Sequence, residues 1–298
     1  MTALPAVSVA AVTPFRDDAD LSVDREAYLH HLRWLVAGGV DGLVLFGTNG
    51  EGPSLSVAEK AHALEAVADA APGAALIPTV AEANLPDALT MLRRCDEVPA
   101  AAVMVLPPYY FKPVDIAGLR AFYERALAAT RHPLLVYHIP KYAVPIPAEL
   151  VADLPVWGVK DSGGEPGYAD AVRAAGRGVL LGTEGGVVDG LVRGAEGMIS
   201  ALANVVPEQV VALHAKVREG DIAEARRMEE RLLALRDDTK AYASPGVLKR
   251  LAQARHGAAM GTVRPPLVPV PDDYDPTVVL ERAGVRGARP AGPAESGL

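Results

Sequence analysis

The sequence predicts an α/β protein: an eight-fold (β/α)8 TIM barrel followed by an appended C-terminal helical unit. Three observations carry this prediction. Short apolar runs alternate with helical segments about eight times between residues 7 and 218. The runs are continuously apolar, as expected of parallel strands covered on both faces. The span also fits the roughly 220–250 residues that eight such pairs occupy. An open doubly wound sheet is the rival, but no dinucleotide-binding glycine fingerprint follows the first strand.

The elements follow in order. Residues 7–12 form a β-branched run, and 24–36 place Leu29, Leu32 and Val36 at helical spacing before a stop at Gly38-Gly39. Residues 42–46 read as a buried strand that enters the loop Gly47-Thr48-Asn49-Gly50-Glu51-Gly52. Ser56 and Glu59 have the spacing of a capping box for the next helix. Strands at 75–80, 101–106 and 133–138 alternate with helices at 84–94 and 115–129, and a shorter helix at 147–154 leads to 156–160. Helices at 167–175, 187–193 and 207–218 then alternate with strands at 179–182 and 197–200. Residues 1–220 are therefore assigned to the barrel and 221–270, with amphipathic helices at 222–235 and 247–255, to the appended unit. Proline, glycine and arginine dominate after Arg264, so 271–298 is expected to be a flexible tail.

Composition removes several classes of function. A 298-residue chain that is 50% hydrophobic can bury a large core. Its net charge of −8 and the lack of a basic stripe argue against nucleic acid. The lone cysteine, Cys95, fits a reducing, cytoplasmic setting. No run is apolar and long enough to span a bilayer, and the first residues do not read as a signal peptide. The seven histidines are dispersed without metal-ligand spacing, so no metal is expected.

The stretch with the strongest chemical content is Val156-Trp157-Gly158-Val159-Lys160-Asp161-Ser162-Gly163-Gly164. Strict strand alternation puts Val156, Gly158 and Lys160 on one face, and Trp157 and Val159 on the other. A lysine at the end of a buried strand is sheltered from water, which disfavours an ammonium. The neutral amine adds to carbonyl carbon and forms Schiff bases. A plainly solvated lysine is the competing reading.

Barrel active sites form at the C-terminal ends of the strands. Thr48 and Asn49 end strand two, Tyr109 and Tyr110 end strand four, Tyr137 lies near the end of strand five, and Lys160 near the end of strand six. These groups are expected to converge on one mouth. Each also has a structural explanation: a tyrosine there can be a packing residue, and Gly47-Thr48-Asn49-Gly50 can be a tight turn. A turn that opens onto a helix also presents backbone N–H groups to a small anion. Asp161 reads as a turn or capping residue and Glu184 as a surface charge, while Glu51 stays open between the two roles.

Taken together, Gly47-Thr48-Asn49-Gly50-Glu51, Pro108-Tyr109-Tyr110, Val136-Tyr137-His138-Ile139-Pro140, Gly158-Val159-Lys160-Asp161 and Gly197-Met198-Ile199-Ser200-Ala201 resemble a known family in order and spacing. It is the pyruvate-dependent class I aldolase/lyase family that contains dihydrodipicolinate synthase and N-acetylneuraminate lyase. The likeness spans residues 7–267. It implies that Lys160 forms an imine with pyruvate and needs no cofactor. It implies that Tyr137 moves protons, and that Thr48 and a Tyr110 supplied by a neighbouring subunit complete a hydroxyl relay. It further implies that Thr48 and Asn49 hold the pyruvate carboxylate, that Gly182 and Ile199 line the pocket, and that the assembly is a homotetramer, a dimer of dimers.

Two positions depart from the commonest pattern. Asn49 replaces a second hydroxyl residue, as in the branch resembling 4-hydroxy-2-oxoglutarate aldolase. Tyr142 stands where dihydrodipicolinate synthases have an arginine for the second substrate's carboxylate, and a phenol offers no bidentate cation. The expected activity is carbon–carbon bond making or breaking between pyruvate and an aldehyde, on a hydroxylated or sugar-derived 2-oxo acid. Synthesis of 4-hydroxy-tetrahydrodipicolinate, dehydration of a 2-oxo sugar acid, and 2-oxo acid binding without turnover are the alternatives.

Overall fold

In the computed structural model, which describes residues 3–70, 74–165 and 167–287, eight parallel strands close into a barrel. The strands are β1 (Val7–Ala10), β2 (Gly42–Leu45), β3 (Ala75–Val80), β4 (Val103–Val105), β5 (Leu134–His138), β6 (Gly158–Asp161), β7 (Gly178–Leu181) and β8 (Gly197–Ser200). Closure is direct: Ser8 is in register with Gly42 of β2 on one side and with Ile199 of β8 on the other. Each strand is followed by a helix on the outside of the barrel, from α1 (Arg25–Ala37), α2 (Val57–Ala70), α3 (Leu85–Cys95) and α4 (Ile116–Ala128) to α5 (Ala148–Asp153), α6 (Tyr168–Ala174), α7 (Val187–Val192) and α8 (Pro207–Glu219).

Local chemistry sets the helix starts. Asp24 and Asn84 accept hydrogen bonds from Ala27 N and Asp87 N, satisfying donors that the first turn of a helix leaves open. The capping box is reciprocal: Ser56 N donates to Glu59 Oε2 at 2.9 Å, and Glu59 N donates to Ser56 Oγ at 3.2 Å.

Two apolar clusters result. The larger lies between the strands and the helices. The smaller fills the barrel interior with Val44, Ile77, Met104, Leu135, Leu180 and Ile199 from six strands. Strict alternation fails at one point on β6. Trp157 belongs to the interior and Val156 to the outer layer, the reverse of the expectation. The shift occurs at Gly158, where β6 and β7 approach so closely that a Cβ would fall 1.9 Å from Gly178 O. Beyond it, Val159 faces out and Lys160 sits beside Tyr137 and Leu180 of the interior.

The C-terminal unit comprises α9 (Ile222–Asp238), α10 (Ser244–His256) and α11 (Pro276–Arg282). The expected flexible tail is corrected for residues 271–287. Val279 and Leu280 of α11 are buried, Arg282 pairs with Asp238, and Gln209 donates to Ala283 O. Two consecutive buried apolar residues, with this ion pair and hydrogen bond, dock the short helix despite the prolines and glycines around it. The rest of that segment, 288–298, lies outside the described residues. Among the described residues no helix is long and apolar enough to cross a membrane.

Candidate active site

A cavity of about 580 Å3 opens at the C-terminal ends of the strands. Lys160 reaches it from β6 with 3% of its surface exposed. The register explains its neighbour: Tyr137 of β5 is aligned with Lys160, and Lys160 Nζ lies 4.3 Å from the centroid of the Tyr137 ring. Across the barrel, Thr48 Oγ1 is 3.1 Å from the Tyr137 hydroxyl. An amine over the face of a phenol, and an alcohol in contact with that phenol's hydroxyl, therefore share an apolar floor that includes Ile199.

Space beside the amine depends on Gly182. A Cβ there would lie 2.0 Å from Ser162 Oγ, 2.9 Å from Asp161 O and 3.1 Å from Lys160 Cε. Asn49, Tyr142 and Ala10 also line the cavity, and Asn49 Oδ1 accepts a hydrogen bond from Ser244 Oγ at 3.1 Å. Tyr142 is 47% exposed at the rim, with Lys141 Nζ above its ring at 4.9 Å.

Tyr110 is the exception to the expected convergence. It is 77% exposed and packs edge-on against Phe111, while Tyr109 lines the cavity. The extended chain after Pro107-Pro108 turns one ring inward and the next outward. Two acidic residues also resolve. Asp161 accepts from Gly163 N at 2.9 Å, which fits a turn-holding role, and burial raises its carboxyl above the usual range. Glu184 is not a surface charge: it is buried and accepts from Ser200 Oγ, Ala201 N and Leu202 N, fixing the turn after β8.

Glu51 has a structural role that the sequence left open. Its backbone sits at φ 52, in the left-handed region that is strained for a non-glycine residue. Its side chain is fully paired: Lys249 Nζ of α10 lies 2.6 Å from Oε1, and Arg264 N donates to Oε2 at 3.0 Å. Arg264 then donates to Leu21 O and Ser54 O and pairs with Glu59. The loop carrying Thr48 and Asn49 is thus clamped by residues beyond the barrel.

Several lining residues escaped the sequence reading. Ser162 and Thr183 adjoin Lys160 and Gly182 and could have been found by following those strands one step further. Ala243, Ser244, Pro245, Pro266 and Leu267 carry no local signal, because only tertiary folding brings them to the mouth.

A closed parallel barrel with a buried lysine at its mouth defines the class: a (β/α)8 protein that places an amine where it can condense with a carbonyl compound. Residues 3–281 match the Dihydrodipicolinate synthetase family, and the chain belongs to it. A 4-hydroxy-tetrahydrodipicolinate synthase of Gluconacetobacter diazotrophicus is 34% identical over 276 residues, covering 89% of this chain and 91% of that one. The fold is shared with a 2-keto-3-deoxygluconate aldolase variant of Sulfolobus solfataricus, at TM-score 0.87 and 24% identity over 94% of this chain and 95% of that one. A catalytic-lysine mutant of Ruminococcus gnavus sialic acid aldolase also shares it, at TM-score 0.87 and 23% identity over 94% of each chain.

Proposed function

We propose that the chain is a Schiff-base-forming class I lyase that makes or breaks a bond between pyruvate and an aldehyde, acting on a hydroxylated 2-oxo acid, a class that includes sugar-derived acids. The observation that carries this reading is the Lys160–Tyr137–Thr48 set at the floor of the cavity. Lys160 Nζ adds to C2 of the 2-oxo acid, and loss of water gives an imine. The protonated imine draws the electron pair of the C3–C4 bond toward itself as the C4 hydroxyl loses its proton. An aldehyde leaves and an enamine of pyruvate remains. Protonation at C3 and hydrolysis release pyruvate and free the amine.

Tyr137 takes and returns the C4 hydroxyl proton, and Thr48 passes it on. Thr48 and Asn49 hold the carboxylate, and Gly182 and Ile199 shape the space around C3. Tyr110, which faces away from its own cavity, completes the relay of a neighbouring subunit. The exposed Tyr110 and Phe111 rings support a homo-oligomer, a dimer of dimers. The reaction is cytoplasmic in this reading, in keeping with a single buried cysteine.

Borohydride added with pyruvate tests this directly. The intact mass should rise by one reduced pyruvate, mapped to Lys160, and Lys160→Met should abolish the adduct. An unchanged mass for the native protein refutes the imine.

The 34%-identical relative favours a second reading, synthesis from pyruvate and aspartate semialdehyde. Tyr142 weighs against it, because a phenol at the rim cannot make the bidentate pair with a carboxylate that an arginine there would make. Turnover of aspartate semialdehyde decides between the two.

A further inference from the structure

The Asn49 side chain is held from outside the barrel. Ser244 Oγ, from the first turn of α10, donates to Asn49 Oδ1 at 3.1 Å, and both residues line the cavity. They stand 195 positions apart, so the contact exists only because α10 packs at the mouth. Asn49 Nδ2 makes no hydrogen bond among the described residues.

An amide has an accepting end and a donating end, whereas a hydroxyl serves either. Ser244 alone therefore leaves the sense of the Asn49 amide open. A carboxylate in the cavity decides it. The anion only accepts, so it takes the Nδ2 hydrogens and leaves Oδ1 to Ser244. With the amide reversed, Oδ1 would face the anion and repel it. Thr48 already shares its hydroxyl with Tyr137 at 3.1 Å, and Glu51 has no donor to offer. The Asn49 amide is thus the side-chain donor that this loop keeps free for an acid.

Ser244 has no part in holding its own helix. The start of α10 is closed by Gly246 N and Val247 N, which donate to Ala243 O, and no side chain caps it. The loop after β2 is tied down separately, by Lys249 and Arg264 through Glu51.

We infer that Ser244 is a positioning residue for the carboxylate of the 2-oxo acid, holding the Asn49 amide with its NH2 toward the cavity. This rests on the imine reading above, with Asn49 as a carboxylate contact, and deepens it. The grip on the acid is set by the C-terminal unit as well as by the barrel. Ser244 acts through Asn49 and touches no reacting atom.

The test is a double-mutant cycle on the pyruvate concentration that gives half-maximal borohydride trapping on Lys160. Asn49→Ala should raise that concentration about tenfold and Ser244→Ala about fivefold. In the Asn49→Ala background, Ser244→Ala should add nothing, because its target is gone. Ser244→Thr keeps the hydroxyl and should behave like the native protein. Trapping of hydroxyacetone, a ketone without a carboxylate, should be unchanged by Ser244→Ala. An equal effect of Ser244→Ala in both backgrounds, the same loss with hydroxyacetone, or native pyruvate trapping by Ser244→Ala overturns this inference and leaves the imine standing. No shift with Asn49→Ala removes the carboxylate contact, and this inference with it. Failure of the native protein to trap pyruvate overturns the imine reading itself.

Discussion

Lys249 and Glu51 meet at 2.6 Å with both side chains withdrawn from water, joining α10 to the loop after β2. Burial pushes the Lys249 ammonium down to about 8, and Glu51 is the partner that keeps it charged at neutral pH. Lys249 Nζ also donates to Thr262 O and lies over the Phe15 ring.

Removing one member strands the other. Lys249→Met should destabilise the protein by about 3–5 kcal/mol, read from urea unfolding, because a buried carboxylate loses its cation. Adding Glu51→Gln should recover part of that loss. Equal stability of Lys249→Met and the native protein would contradict the clamp.

Tyr137→Phe should keep the pyruvate adduct on Lys160 and lower kcat by about a hundredfold or more, since the proton carrier is gone and the amine is not. Thr48→Val should lower kcat in the same direction, because it leaves the phenol without its 3.1 Å partner. Steady-state kinetics beside trapping yields separate both effects from misfolding.

Gly182→Ala places a methyl group against Ser162 Oγ and Lys160 Cε. Activity and adduct formation should both fall. The far-ultraviolet circular dichroism should change little, because the clash with Ser162 Oγ, Lys160 Cε and the Asp161 carbonyl is confined to the mouth ends of β6 and β7.

A hydrogen-bonded chain gives the fold an acid limit. Ala258 N donates to His256 Nδ1, so His256 Nε2 donates to His31 Nδ1, and His31 Nε2 donates to Asn204 Oδ1. Burial is the main cause that lowers His31 to about 3 and His256 to about 4. His30, Trp34, Arg255 and Asn204 surround the pair and supply no negative charge. Unfolding lets both rings take protons near their ordinary value of about 6.5. The unfolded state then binds more protons than the native state below that pH, so stability is full above it and falls as pH drops. The melting temperature should decline between pH 6.5 and 5, before most carboxylates titrate. His31→Gln should flatten that decline.

The barrel was readable from the sequence because each strand is a local apolar run and each helix has a local start and stop. Lys160, Tyr137 and Thr48 could be placed by strand position alone, since parallel register turns neighbouring strand ends into neighbouring side chains. Trp157 could not, because its face depends on the approach of Gly158 to Gly178 O, a contact between strands. Glu184 looks like a surface charge and Glu51 stays ambiguous in a linear reading, because the partners of the first belong to the turn after the next strand and those of the second lie about two hundred residues on. Helix α11 was hidden because proline and glycine content says little about the two buried side chains that dock it.

The partners of Glu51 stand 198 and 213 positions after it. During synthesis the strands up to β8 therefore leave the ribosome well before Lys249 and Arg264 arrive to lock the Thr48–Asn49 loop. A nascent chain can close its barrel while its mouth is still unset. A polypeptide stalled before Lys249 would hold the amine opposite a loop that lacks this clamp and rests on contacts within the barrel, such as Thr13 Oγ1 with Gly50 O and Thr48 with Tyr137.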